Sequence, residues 1–254
     1  MSYDLYITGA GVSAESGIPT FRGEDGYWTI GSSNYTPQEM ATRKMYLTQP
    51  DQFLLWYFKR FAKYRNIKPN SVHKWLADKK LITQNIDGLD RKAGNTSFIP
   101  IHGSIDKVTR FHGQNDVPEL EVAPWEEIET VFHKNDDTEY LKKLLLDAFK
   151  ISAKTLSPEP KISLKPFVLL FDEYYSELYK VSKAEQMFDQ AVNFVFMGTS
   201  FSVNITNMAL QTALARGCTI SIVDPKPIKI IAQNVEYFKM TAKEYVVFQK
   251  NLKK

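Results

Sequence analysis

The stretch Tyr3-Asp-Leu-Tyr-Ile-Thr-Gly-Ala-Gly11 is a short apolar run that ends directly in glycine. With Ala14 at the third small position, Gly9 and Gly11 satisfy the G-x-G-x-x-A form of a dinucleotide fingerprint. Such glycines permit a tight turn and let backbone N–H groups approach a pyrophosphate at a helix N-terminus. A plain turn after a strand would carry the same letters, so the fragment needs its surroundings. Its usual acidic partner, about twenty residues on, would fall in Glu24 to Ile30, which does not read as a second strand. That disfavours an ordinary nicotinamide dehydrogenase.

Working outward, similar strand-like runs recur at Lys80 to Asn85, Ser97 to His102, Phe167 to Phe171, Asn193 to Met197 and Thr219 to Val223. Helical patterns lie between them at Asp51 to Tyr64, Thr138 to Lys154, Ser182 to Ala191 and Asn207 to Arg216, the last stopping at Gly217 as a C-cap glycine would. The alternation predicts an α/β fold: a Rossmann-like, mostly parallel sheet with helices on both faces. Ile105 to Leu164 breaks it, with few strand-like runs and nine acidic residues between Asp116 and Glu139. We read a single domain over 1–254, with a large lobe of about 1–104 and 165–254. The smaller inserted lobe, mainly helical, covers about 105–164, with part of 30–70 as a candidate addition. Ser157 to Leu164, with Pro158 and Pro160, reads as the linker returning to the sheet.

Composition bounds the partners. Lys plus Arg number 32 against 29 Asp plus Glu, and a net charge of +3 argues for neither a nucleic-acid groove nor an anionic membrane surface. A hydrophobic content of 43% is enough for a substantial core. Cys218 is the one cysteine, which rules out an intramolecular disulfide and any structural zinc held by two or four thiolates. No run has the length of a membrane span, and Met-Ser-Tyr-Asp lacks the features of a signal peptide, so a cytoplasmic protein is expected.

The glycine stretch continues as Gly9-Ala-Gly-Val-Ser-Ala-Glu-Ser-Gly-Ile-Pro-Thr-Phe-Arg-Gly23, followed by Gly26-Tyr-Trp28, Thr83-Gln-Asn-Ile-Asp-Gly-Leu89, Ala93-Gly94, Ile101-His-Gly103 and Gly198-Thr-Ser200. In this order the chain resembles a sirtuin, the family of NAD-dependent protein-lysine deacylases, from Gly9 to about Asp224. The resemblance implies that NAD is consumed. Nicotinamide leaves, the acyl oxygen of a modified lysine attacks C1 of the ribose, and a histidine deprotonates a ribose hydroxyl so that the acyl group migrates. The products would be nicotinamide and O-acyl-ADP-ribose, and the partner an acylated-lysine protein or peptide.

His102 matches that histidine. Alone it reads as a core histidine at a strand end; as a base, an imidazole with an ordinary pKa of about 6.5 suits neutral pH. Asn85 and Asp87, with Gln84 beside them, match the pair that positions the carboxamide and the ribose, although Asn-Ile-Asp-Gly is also good turn sequence. Ala10, Ser13, Phe21 and Arg22 match the cofactor-binding loop, together with Gly9 and Gly11. Gly198, Thr199 and Ser200 match the motif that holds the distal ribose and phosphate. Asp224 stands where the family more often has asparagine. Tyr57 and Arg60 resemble the Tyr-x-x-Arg pair of the branch that prefers acidic acyl groups such as succinyl; at i and i+3 they share a helix face. The plain reading makes Tyr57 core and sends Arg60 to solvent.

Three departures bear on the substrate, and a fourth, at Asp90, carries no assigned role. Ser104 to Ser163 has no cysteine where most sirtuins carry two zinc-binding pairs, and His112 and His133 are too few to replace them, so no structural zinc is expected. Packing by Leu141, Leu144, Leu145 and Phe149 would hold the lobe instead. Family substrates pair as an added strand between the lobes, here with Val168 to Glu173 and with Phe201 to Asn204, which makes Val168, Phe171, Glu173 and Val203 the substrate candidates. Asp172 replaces the usual glycine in Phe-Gly-Glu, and Asn204 interrupts a familiar Val-x-Pro position; Asp90 replaces a frequent histidine. A sirtuin-like NAD hydrolase or ADP-ribosyltransferase is therefore the second reading, and a non-catalytic module that binds NAD or ADP-ribose the third.

Overall fold

The computed structural model describes residues 3–20, 35–132 and 137–252. The chain divides into two compact units, one of residues 1–21, 67–102 and 180–254, the other of residues 22–66 and 103–179. Where the sequence drew an insert at about 105–164, the second unit thus takes in more chain on both sides.

The first unit is built on a six-stranded parallel sheet in the order β3-β2-β1-β7-β8-β9. Its strands are β1 (Tyr3–Thr8), β2 (Lys80–Thr83), β3 (Ile99–Pro100), β7 (Ala191–Met197), β8 (Thr219–Val223) and β9 (Val235–Phe238). A parallel sheet covered on both faces demands near-continuous apolar strands, and Leu5, Ile7, Leu81, Ile82, Phe194 and Phe196 are fully buried. Tyr6, Leu81, Val195, Met197 and Val223 share a core with residues from α4 (Ser71–Leu76) and α10 (Ala242–Leu252). The other face receives α8 (Val181–Gln190) and α9 (Asn204–Ala215), with the Phe188 ring 6.2 Å from that of Phe194. The short α5 (Leu89–Lys92) follows β2. As expected, Gly217 ends α9 with φ at +65°, a left-handed conformation natural to glycine.

From β1 the order steps through β2 to β3 on one side; the chain then returns to the other side of β1 and continues through β7, β8 and β9. β1 and β7 therefore flank a topological switch point. There the crevice beyond the carboxyl ends of the strands receives ligands in open α/β sheets.

The second unit contains α1 (Pro37–Met40), α2 (Arg43–Thr48), α3 (Pro50–Tyr64), α6 (Trp125–Phe132) and α7 (Thr138–Ala148). It also holds an antiparallel sheet in the order β5-β4-β6, formed by β4 (Gly103–Arg110), β5 (Leu120–Val122) and β6 (Leu164–Val168). The sequence reading had not foreseen this sheet and had given the Phe167 run to the large lobe. The short α7 is a second correction: it stops at Ala148, six residues before Lys154, because Lys150 turns to φ +56°.

An aromatic core fills this unit. The fully buried Trp125 lies 4.6 Å from the ring of Phe149, packs against Phe58 and Phe61, and donates its indole N–H to the Ile105 carbonyl at 2.6 Å. Leu141, Leu145 and Phe149 are buried as expected, whereas Leu144 is only half-buried and Leu146 takes the inner position. Among the described residues, no group of three or more His, Cys, Asp or Glu could hold a metal ion, and His133 lies outside them. Nor is any helix among them long and apolar enough to cross a membrane.

Asp172 is not strained by the loss of glycine, since its φ is not positive. Its carboxylate instead accepts the backbone N–H groups of Arg43, at 2.6 Å, and Lys44, at 3.0 Å, at the start of α2. Beside it, Glu173 bridges two cations: Arg43 at 2.9 Å and the buried Lys165 at 3.1 Å, which also donates to the Val168 carbonyl.

Candidate active site

The site residues of the first unit gather at the carboxyl ends of its strands. After β1 the chain makes two 3-10 turns, Ala10–Val12 and Ala14–Ser16, instead of the α-helix that the dinucleotide fingerprint implies. This turn abuts the loop after β7. Gly9 N donates to the Met197 carbonyl at 3.1 Å and Gly11 N to the Gly198 carbonyl at 3.0 Å. The approach is so close that a Cβ on Gly198 would stand 2.7 Å from the Gly11 Cα, and Gly198 itself sits at φ +59°. The two glycine segments therefore form one backbone-walled floor at the switch point.

Gln84 and Asn85 continue β2 onto this floor. The Gln84 side chain donates to the Thr8 carbonyl and to the Thr199 hydroxyl, both at 3.1 Å. Asn85 donates its amide to the Gly9 carbonyl at 3.0 Å and to Ser13 Oγ at 3.2 Å, which uses both N–H donors and leaves its oxygen as the acceptor. The Ser13 hydroxyl donates to Asp87 Oδ2 at 2.6 Å, and the other Asp87 oxygen accepts the Leu89 N–H at 2.9 Å. Ser200 is exposed and pairs with Ser202 at 2.8 Å. The adjoining Phe201 is held at φ +54°, rare for an aromatic residue, by packing on Phe196 at 4.7 Å. Asp224, after β8, spends one oxygen on the Lys226 N–H at 2.7 Å.

His102 follows β3 and bonds the Gln84 carbonyl through Nδ1 at 3.0 Å. A carbonyl only accepts, so Nδ1 carries the proton and the lone pair lies on Nε2. Burial lowers the pKa of this imidazole to about 4, against the raising influence of the Gln84 bond. The ordinary value expected from sequence is thereby corrected: the ring is neutral, and a proton acceptor, throughout the neutral range.

Asp90, three residues beyond Asp87, is 3% exposed, and its Oδ1 has no hydrogen-bond partner among the described residues. Burial first, and then the nearby Asp87 charge, push its pKa from 3.8 to about 7, opposed by a hydrogen bond with Thr83.

The remaining candidates fall elsewhere. Phe21 and Arg22 lie outside the described residues. In the second unit, Tyr57 is buried, and Arg60, 1% exposed, stacks over the Trp56 ring at 3.2 Å and donates to the Trp56 carbonyl at 2.8 Å. Tyr57 thus sits in the core, while Arg60 turns inward instead of reaching solvent. Val168 is buried, Phe171 is exposed, and the Glu173 carboxylate is taken up by Arg43 and Lys165. The Leu170 N–H is bonded to Glu173 at 3.2 Å and the Phe171 N–H to the Ala41 carbonyl at 2.9 Å. Val203, in the first unit, is half-buried and occupies the N-cap of α9 with no side-chain cap.

The sequence reading missed two site residues, Asn70 and His73. Asn70 donates to the Val12 carbonyl at 2.8 Å and to Ser16, while His73, fully buried, lies 3.4 Å from Ser13 Oγ. Their spacing, that of an N-cap residue and the third helical position, was the available signal.

Comparison with known proteins agrees with this architecture. The chain is 31% identical over 255 residues to the NAD-dependent protein deacylase 1 of Caldanaerobacter subterraneus subsp. tengcongensis, covering 96% of this chain and 90% of that protein. It is 43% identical over 129 residues to the NAD-dependent protein deacylase 1 of Archaeoglobus fulgidus, a match spanning 48% of this chain and only 51% of that relative. Among solved structures, a Sir2 homolog–NAD complex superposes with a TM-score of 0.71 at 27% identity, over 98% of this chain and 90% of that one. The model of the Sir2 family matches residues 9–205, most of the chain, and with the switch-point site described above this protein belongs to the Sir2, or sirtuin, family.

Proposed function

We propose that this chain is an NAD-dependent protein-lysine deacylase. The observation that carries the reading is the convergence at one switch point of the Gly9–Gly11 turn, the Gln84–Asp87 segment, the Gly198–Ser200 loop and a neutral His102 whose Nε2 accepts protons. The names of the relatives and the NAD-bound neighbour support it.

The donor set fits NAD. The first turn of α9 has no side-chain cap, so its N–H groups, with the backbone of the glycine floor, suit a pyrophosphate. Thr199, Ser200 and the remaining Asp224 oxygen suit ribose hydroxyls. Asn85 Oδ1 and Asp87 suit the donors of a carboxamide and a ribose, with Gly9, Ala10, Gly11, Ser13 and Gln84 shaping the floor. When bound, NAD supplies nicotinamide as leaving group and ADP-ribose as acyl acceptor. His102 then takes a proton at Nε2 while the Gln84 carbonyl steadies the charged ring through Nδ1–H.

The acyl group is acetyl or an acidic acyl such as succinyl. The acidic class rests on the Tyr-x-x-Arg pattern of Tyr57 and Arg60 alone, since Arg60 is 1% exposed and its guanidinium is taken up by the Trp56 ring and carbonyl. A second reading, NAD hydrolase or ADP-ribosyltransferase, is favoured by one observation: the Leu170 and Phe171 N–H groups that would pair with a peptide strand already have partners.

Mass-spectrometric product analysis with NAD and acetyl-, succinyl- and free-lysine peptides separates them. O-acyl-ADP-ribose formed only with acylated peptide is the expected result. ADP-ribose released without peptide would overturn the deacylase reading in favour of the second.

A further inference from the structure

The antiparallel sheet of the second unit ends in an unpaired edge. Ala123 N donates to the Asp106 carbonyl at 3.0 Å, and the register sets Lys107 opposite Val122, Val108 opposite Glu121 and Thr109 opposite Leu120. Hydrogen-bonded and non-bonded pairs alternate along an antiparallel ladder, so Glu121 and Ala123 spend their backbone groups on β4. Those of Leu120 and Val122 point the other way, and β5 is the last strand of its sheet among the described residues.

Side chains along this edge sort by face. Leu120 and Val122 share one face and are 45% and 74% exposed, an unusual pair of apolar residues to leave in water. Glu121 and, just before the strand, Glu119 alternate to the other face. Glu119 is exposed, and Glu121 is held only by a half-exposed contact with Arg110 at 3.3 Å. From Phe111 to Phe132 the chain has six acidic residues and no Lys or Arg, and Pro118 and Pro124 bound the open stretch to five residues. An open edge invites pairing and is commonly protected by lysine, whereas this one carries only negative charge.

We propose that β5 is a docking edge for an extended, lysine-rich segment of a partner protein, which adds a fourth strand to the sheet. The segment pairs its backbone with the outward N–H and C=O groups of Leu120 and Val122. Its apolar residues, opposite these two, cover their side chains, and the lysines between them meet Glu119 and Glu121. Charge selects this occupant over a second copy of the chain, because full antiparallel overlap of two such edges sets one Glu121 opposite the other. Acylation removes the charge of a lysine, so the edge favours the unmodified segment. The docking does not depend on the activity proposed above.

The test is fluorescence anisotropy of the intact chain with a labelled, end-blocked Lys-Val-Lys-Val-Lys peptide, alongside amide hydrogen exchange. Binding should slow exchange at Leu120 and Val122 and weaken with added salt. Gln-Val-Gln-Val-Gln should bind at least about 5-fold more weakly, and Glu119→Gln combined with Glu121→Gln should weaken the lysine peptide by about 5-fold. Val122→Pro removes an outward N–H and no bond of the sheet, and should cost about as much, as should N-methylation of both peptide valines. The two glutamate substitutions lie at the surface and keep the test decisive if Val122→Pro does not fold. Absence of binding, equal affinity for the glutamine or N-methylated peptide, unchanged affinity in the folded variants, or no protection at Leu120 and Val122 would each overturn the proposal. A dimer in sedimentation velocity that Val122→Pro dissociates would assign the edge to a second copy and overturn it as well.

Discussion

Replacing Asp90 by asparagine removes a buried charge while keeping the shape of the side chain, and the structure sets the pH range in which this matters. The carboxyl is 3% exposed, and its pKa rises from 3.8 to about 7 in the fold. Between those values the folded protein holds a proton that the unfolded chain has already lost. Unfolding then releases a proton, so wild-type stability falls as pH climbs from about 4 to about 7 and levels off above. At about 1.4 kcal/mol per pKa unit, the accumulated loss is on the order of 4 kcal/mol. Asp90→Asn lacks this slope. Its advantage over wild type should be small at pH 4 and widen by about 3 kcal/mol between pH 5 and pH 8, roughly 6–12 °C in Tm for a chain of this size. Thermal unfolding of both proteins at pH 5, 6, 7 and 8, followed by circular dichroism, measures it. A Tm gap that stays constant across that range, or shrinks with pH, would refute the reasoning.

Three further outcomes follow from other parts of the molecule. Because burial lowers the His102 pKa to about 4, kcat/KM for deacylation should stay level from pH 8 down to pH 6 and fall only below; an inflection near 6.5 in the pH–rate profile would contradict this. Gly198→Ala forces a side chain into φ +59° and a Cβ to within 2.7 Å of Gly11, so urea unfolding should reveal a loss of more than about 1 kcal/mol, and an unchanged midpoint would count against the close approach. Asp172→Ala frees the Arg43 and Lys44 N–H groups and should cost about 1 kcal/mol, whereas Asp172→Asn, which keeps an acceptor, should recover most of it.

What the sequence made legible followed burial pattern. β1, β7 and β8 are buried on both faces over their last four residues and read as largely apolar runs. β4 escaped notice because Asp106, Lys107 and Arg110 interrupt it, and β9 because it is a half-exposed edge strand. Asn85, Asp87 and His102 stood in contiguous motifs and could be found one by one. His73 could not, because it is 60 residues from Ser13 and only the fold brings the two together. Glu173, a substrate candidate on its motif, proved to be the anion between Arg43 and Lys165, a role that depends on a contact 130 residues away.

By itself, then, the chain determined its buried parallel strands, its glycine turns and the inventory of polar groups, since these depend on periodicity and on neighbours within a few residues. Tertiary structure decided which of those groups lost water and which partners they met. It made His102 neutral with its lone pair on Nε2, raised Asp90, turned Arg60 onto Trp56 and gave Asp172 a helix to cap. Desolvation and hydrogen bonding between distant segments are properties of the packed chain, and no local reading of residue types contains them.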